Sequence, residues 1–161
     1  MTTLPLLDDV IECSCGICVS ACHKKPGWFL PEEIKPAADF LGLTEKEFFD
    51  KYLAVDYYMQ DDMIYVLSPA VVGQETGKEF PLDPLGRCVF LKDDKCSIHA
   101  VKPHECRSYD HRNENNKELH LKVAEEWIPH KNRIKELLGR DPCLEKPTIF
   151  DLLELMKSVY K

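Results

Sequence analysis

Cys13, Cys15, Cys18 and Cys22 put four thiols within ten residues, and Cys88, Cys96 and Cys106 form a second group further along. With Cys143 they make up the eight cysteines of the 161-residue chain. A thiolate can serve as nucleophile, redox partner or soft metal ligand. The spacing favours the last role. Cys13 and Cys15 are separated by one residue and Cys15 and Cys18 by two, so their sulfurs converge on one atom more readily than they reach separate disulfide partners. A Cys-x-x-Cys pair in a tight turn can place two thiolates on one ion, with Zn–S bonds of about 2.3 Å. Gly16, inside Cys15-Gly16-Ile17-Cys18, suits such a turn, because glycine permits the positive φ that aims backbone N–H groups at sulfur. The opening Met1-Thr2-Thr3-Leu4-Pro5 shows no secretory pattern. The expected location is therefore cytoplasmic, a reducing compartment where clustered cysteines bind metal or do redox chemistry.

The second group has its own logic. Cys88-Val89-Phe90-Leu91 and Cys96-Ser97-Ile98 flank a polar Lys92-Asp93-Asp94-Lys95 turn, which predicts a small hairpin with one cysteine at each end. Antiparallel pairing should then bring Cys88 and Cys96 together. Pro103-His104-Glu105-Cys106-Arg107 reads as the start of a helix, where free N–H groups and the helix dipole favour a thiolate at Cys106. Around the thiols, His23 and Arg107 are candidates for supporting contacts, and Lys24 and Lys25 can offset thiolate charge. Cys143, in Asp141-Pro142-Cys143-Leu144, can return to the metal from a loop between helices.

The elements that must position these groups follow from periodicity. Pro31-Glu32-Glu33 opens a helix carrying Ile34, Ala38 and Leu41 on one face and stopping at Gly42, with Pro36 set to kink it or delay its start. Thr44-Glu45-Lys46-Glu47 is a capping-box pattern before Phe48, Phe49 and Tyr52. Val55–Met59 and Met63–Leu67, on either side of Gln60-Asp61-Asp62, predict a β-hairpin. Residues 68–87, rich in proline and glycine, predict a long connection. Leu119, Val123, Trp127 and Ile128 share a helical face ending at Pro129, and Ile134, Leu137 and Leu138 another ending near Gly139. A final helix is expected from Thr148 through Leu152, Leu155, Met156 and Val159, with its stripe in the core. The expected fold is α+β: one small domain over residues 1–161, with short helices around small β-hairpins, knitted by a cysteine metal cluster. With 44% hydrophobic residues the chain can bury a sizeable core without help from a metal. The sequence has no apolar run of the ~18 to 20 residues a membrane helix needs. A formal net charge of −7 disfavours non-specific nucleic-acid binding.

The runs Cys88-Val89-Phe90-Leu91, Cys96-Ser97-Ile98-His99 and Lys102-Pro103-His104-Glu105-Cys106-Arg107 resemble the C-x-F-L, C-x-I-Y and R-P-x-x-C-R signature of a bacterial and archaeal family. Its members are zinc- or iron-chelating cysteine-cluster proteins, named for an N-terminal C-x-x-C-x-x-C-C motif. Here Cys13 and Cys15 stand closer than that motif has them, Val19 replaces its last cysteine, and Cys22 is the substitute. His99 and Lys102 take the places of tyrosine and arginine. The resemblance implies metal chelation and no particular reaction. A zinc ion held by Cys13, Cys15, Cys18, Cys22, Cys88, Cys96, Cys106 and Cys143, or by a subset, is the leading reading. Iron or an iron–sulfur cluster is the alternative, and would make the chain an enzyme or electron carrier, as in a branch that resembles flagellin lysine methylases. A thiol-disulfide oxidoreductase built on Cys15-Gly16-Ile17-Cys18 lacks the βαβ pattern such enzymes use. An interaction module in which metal is only structural, meeting a protein partner through the Tyr57-Tyr58 hairpin or the C-terminal helices, is a third class.

Overall fold

The computed structural model describes residues 16–59, 62–75, 84–108 and 116–142, with residues 153, 156 and 157, and gives the backbone alone for 16–18. In chain order the elements are α1 (Gly16–Lys24), α2 (Ile34–Phe40), α3 (Glu45–Tyr52), β1 (Leu53–Met59), β2 (Met63–Pro69), β3 (Leu91–Lys92), β4 (Lys95–Cys96), α4 (His104–Ser108), α5 (Lys117–Trp127) and α6 (Lys131–Leu138). Single 3₁₀ turns at Pro31–Glu33, His99–Val101 and Ile128–His130 lead into or join the helices. The class is α+β. A metal cluster is not part of what this fold shows; the described elements meet on an aromatic and aliphatic core.

Local chemistry explains most boundaries. Pro36 neither kinks nor breaks α2, because it is the third residue of that helix and its missing N–H would have had no partner there. Gly42, at φ 68°, ends the segment in the left-handed conformation glycine accepts most readily. Thr44 caps α3 as its pattern predicts: Glu47 N–H donates to Oγ1 at 3.2 Å, and Thr44 N–H donates to the Glu47 carboxylate at 2.9 Å. β1 and β2 pair antiparallel with Tyr57 opposite Tyr65 and Met59 opposite Met63. Leu53, Val55, Val66 and Leu67, away from the turn, lie in the core.

That core centres on Phe29, Phe48 and Trp127, with Ile34, Ile98, Val123 and Ile134 around them. Trp127 Nε1 donates to the Phe29 carbonyl at 2.7 Å, which fastens α5 to the chain just before α2. Phe90 packs against Tyr52 and Phe48 at ring separations of 5.3 and 6.2 Å, so the short β3–β4 hairpin is anchored to the same core.

Three expectations change. Gly16 starts a helix instead of serving a tight Cys-x-x-Cys turn. Ile128 is 57% exposed, because the chain leaves the α-helical period after Trp127 and enters a 3₁₀ turn that carries it off the buried face. Met156 is 55% exposed on its helical stretch instead of entering the core. Thr148, Leu152, Leu155 and Val159 lie outside the described residues.

Candidate metal centre

Cys22 lies near the end of α1, one turn beyond Cys18, where helix carbonyls have run out of intrahelical partners. The neighbouring segment supplies them: Cys88 N–H donates to the Cys22 carbonyl at 2.9 Å and Gly86 N–H to the Lys24 carbonyl at 2.8 Å. The two cysteine groups therefore touch through their backbones. On its other side the 86–88 segment bridges to Val71, with Val72 N–H donating to Arg87 O at 2.9 Å.

Cys88 is buried and begins a tight turn, its carbonyl accepting from Leu91 N–H at 3.1 Å. The N–H groups of Phe90 and Leu91 hydrogen-bond to its sulfur. Cys96 ends β4, and Ile98 N–H hydrogen-bonds to its sulfur. Strand pairing does not set Cys88 against Cys96 as expected. The register places Leu91 opposite Cys96 and leaves Cys88 three residues before the ladder, because the two-residue turn at Asp93 and Asp94 fixes the pairing. Both aspartates sit at positive φ, 49° and 58°, as a tight hairpin of primed type requires. Cys106 is the third residue of α4, and its sulfur accepts from Gly27 N–H.

These four thiols lie within electrostatic reach of one another: Cys22 with Cys88, Cys96 and Cys106, and Cys88 with Cys96 and Cys106. Burial is the main force on each, and it favours the neutral thiol. It pushes Cys88 up to about 12 and raises Cys22, Cys96 and Cys106, with mutual repulsion adding to it at Cys22, Cys88 and Cys106. Lys102 works the other way on Cys22 and Cys96. The thiolate expected at Cys106 from its helix position is thus overridden, since a five-residue helix offers little against desolvation. Among the described residues no three His, Cys, Asp or Glu side chains are already closed on a common point as metal ligands would be.

Arg107 does not reach the thiols with the contacts it makes. It pairs with Glu33 and donates to the Lys102 carbonyl at 2.9 Å, tying α4 to the turn before α2. His23 is exposed, with Nε2 3.7 Å from Asp94 Oδ1 on the hairpin turn. Lys25 lies 3.6 Å from the buried Asp56 carboxylate and over the Trp28 ring. Cys13, Cys15 and Cys143 are outside the described residues, and for Cys18 only the helical backbone is described. Sequence reading passed over Gly27, Lys102 and a buried pair, Glu105 Oε2 and His120 Nδ1, 3.1 Å apart beside Cys106. Gly27 had a faint signal in the Pro26-Gly27-Trp28 run; His120 had none, being one polar residue on an amphipathic helix.

Residues 12–125 match the model of a family described as "CxxCxxCC: Putative zinc- or iron-chelating domain". The chain belongs to this family. No curated protein and no solved structure is significantly similar to it. The matched span of the CxxCxxCC domain includes every cysteine but Cys143, and both hairpins. Membership supports a general metal-binding role. Among the described residues no helix is long and apolar enough to cross a membrane.

The residues of the CxxCxxCC domain fit such a role. Three of the four described thiols receive backbone N–H bonds, which stabilise negative charge on sulfur, and Lys102 adds a positive neighbour. Soft sulfur donors select zinc, copper(I) or iron–sulfur centres over hard cations such as magnesium.

Proposed function

We propose that the protein holds one zinc ion through Cys22, Cys88, Cys96 and Cys106, in a centre closed by four protein sulfurs. One observation carries this reading. Backbone N–H groups of Phe90, Leu91, Ile98 and Gly27 are directed at the sulfurs of Cys88, Cys96 and Cys106, although burial keeps those thiols neutral. Donors aimed at a buried sulfur gain most when it is an anion, and a bound cation is what makes the anion affordable there. Zinc would supply that charge and join α1, the β3–β4 hairpin and α4. The four residues would bind and orient it, and with every position filled by sulfur no place is left for a substrate. Cys13, Cys15, Cys18 and Cys143 are spare thiols in this reading, with the 161 residues acting as one metal-chelating domain in a reducing compartment.

Elemental analysis and an absorption spectrum of anaerobically purified protein test the proposal. Colourless protein with about one zinc per chain is expected for a four-thiolate site. A brown preparation with iron and acid-labile sulfide would replace zinc by an iron–sulfur cluster, and metal-free protein would remove the centre altogether.

A further inference from the structure

Residues 25–29 form a strap from the end of α1 to the core, fastened at both ends. Lys25 N–H donates to Ala21 O at 3.0 Å and Phe29 N–H to Leu67 O at 2.9 Å, while Trp28 Nε1 donates to the buried Asp56 carboxylate at 2.7 Å. α4 docks against the strap, with Glu105 N–H reaching Trp28 O at 3.5 Å. Midway along it, Gly27 N–H donates to the Cys106 sulfur.

The absence of a side chain at Gly27 has a definite cause. A Cβ there would stand 2.7 Å from Cys106 Sγ, 3.1 Å from Cys106 N and 3.3 Å from Glu105 Cβ. Unbonded heavy atoms of this kind settle at about 3.5–4.0 Å. The backbone is not what demands glycine, since Gly42, Gly73, Gly86 and Gly139 take positive φ and Gly27 does not. The α4 residues facing it demand it, the Cys106 sulfur most closely. Neither neighbour yields easily: the strap is pinned by Trp28 and Phe29, and Sγ is one bond from the Cβ of a helical residue.

We infer that Gly27 is a positioning residue for Cys106, its missing side chain admitting the strap's N–H to the sulfur and so fixing where that ligand points. This role rests on the proposed metal centre. It predicts that Gly27→Ala displaces one ligand while leaving the core in place, because the core residues Phe29, Phe48 and Trp127 do not touch the added methyl among the close contacts at Gly27.

The test is zinc affinity of the full chain, measured by competition with a chromophoric chelator for wild type and Gly27→Ala. A loss of about 10- to 100-fold is expected, the range for removing an outer-shell partner of a metal ligand. The far-UV circular dichroism of the zinc-loaded variant should be unchanged, and the thiolate-to-cobalt charge-transfer band of the cobalt(II) form weaker. Equal zinc affinity and an unchanged cobalt spectrum overturn the positioning role and leave the metal centre standing. A wild type that binds no zinc overturns both. If Gly27→Ala does not fold, Cys106→Ala is compared with Gly27→Ala/Cys106→Ala. Folding of both supports the sulfur as the obstacle; failure of the double variant alone overturns it.

Discussion

At the residue scale the thiols set the terms. Burial pushes Cys88 up to about 12 and raises Cys22, Cys96 and Cys106 above the ordinary value of 9.0, so all four are protonated at neutral pH without metal. In the proposed centre zinc would have to displace those protons, and about four should be released per ion bound near pH 7. Titration calorimetry in buffers of different ionisation enthalpy counts them; release close to zero would mean that the four thiols are not the ligands. The same shift bears on the metal-free protein. In the unfolded chain Cys88 loses its proton near 9.0, and in the folded protein only near about 12, so the folded state is favoured by holding it. That contribution is fully present below about pH 9 and is lost as pH rises toward about 12. Urea denaturation of metal-free protein should therefore give lower stability at pH 10 than at pH 8, and a rise would contradict it. Asp56 makes a separate case. It is buried, and Trp28 Nε1 donates to Oδ2 at 2.7 Å while Tyr57 N–H donates to Oδ1 at 2.8 Å, so Trp28→Phe should cost about 1–3 kcal/mol in the same assay. No change in midpoint would show that the partners left to Asp56, Tyr57 N–H and Lys25 among them, suffice.

At the scale of elements, the β3–β4 hairpin is the most exposed to single changes, because two paired positions on each strand hold it and its turn uses two non-glycine residues at positive φ. Asp94, at φ 58°, tolerates this conformation better than most residues. Asp94→Val should cost about 1–2 kcal/mol, the penalty for placing a side chain in the left-handed region. Asp94→Gly should cost nothing on that account. The difference is visible in the centre, since Cys96 lies two residues beyond the turn. Slower zinc release by a competing chelator from Asp94→Gly than from Asp94→Val is expected. Equal rates would show that the hairpin is held by Phe90 and the core, without help from its turn.

At the scale of the whole molecule, the proposed centre borders a core that is built mostly without it. Ile34, Phe48, Val123, Trp127 and Ile134 are buried on α2, α3, α5 and α6, which carry none of the described thiols, while Cys88 belongs to the same core and Cys22 and Cys96 pack against it. Removal of zinc should therefore lower the melting temperature but leave a cooperative transition, unlike small zinc modules that unfold outright. Cys96→Ala and Cys106→Ala should bind zinc less tightly than wild type and lose much of the stabilisation that zinc confers. A wild-type melting curve that excess chelator leaves unmoved would argue against a metal joining these segments.

Legibility in the sequence followed the range of the forces involved. The Thr44 capping box, the stop at Gly42, the β1–β2 hairpin and the Trp127 face were readable because each depends on residues within a turn or two of chain. A general metal-binding role was readable because the density and spacing of the cysteines are themselves the signal, and the resemblance carried by Cys88–Arg107 agrees with the matched family. Tertiary structure decided what spacing cannot express. It brought α1 against residues 86–88, where leftover helix carbonyls found N–H partners, and it set Leu91, not Cys88, opposite Cys96. It also gave Arg107 to Glu33 and placed Gly27 against Cys106. The Gly27–Cys106 contact spans 79 positions (106 − 27) and rests on one absent methyl group, so neither residue alone announces it. Cysteine types and intervals were local information; which sulfurs come within electrostatic reach of one another, and at what cost, depended on how the aromatic core folds the chain back on itself.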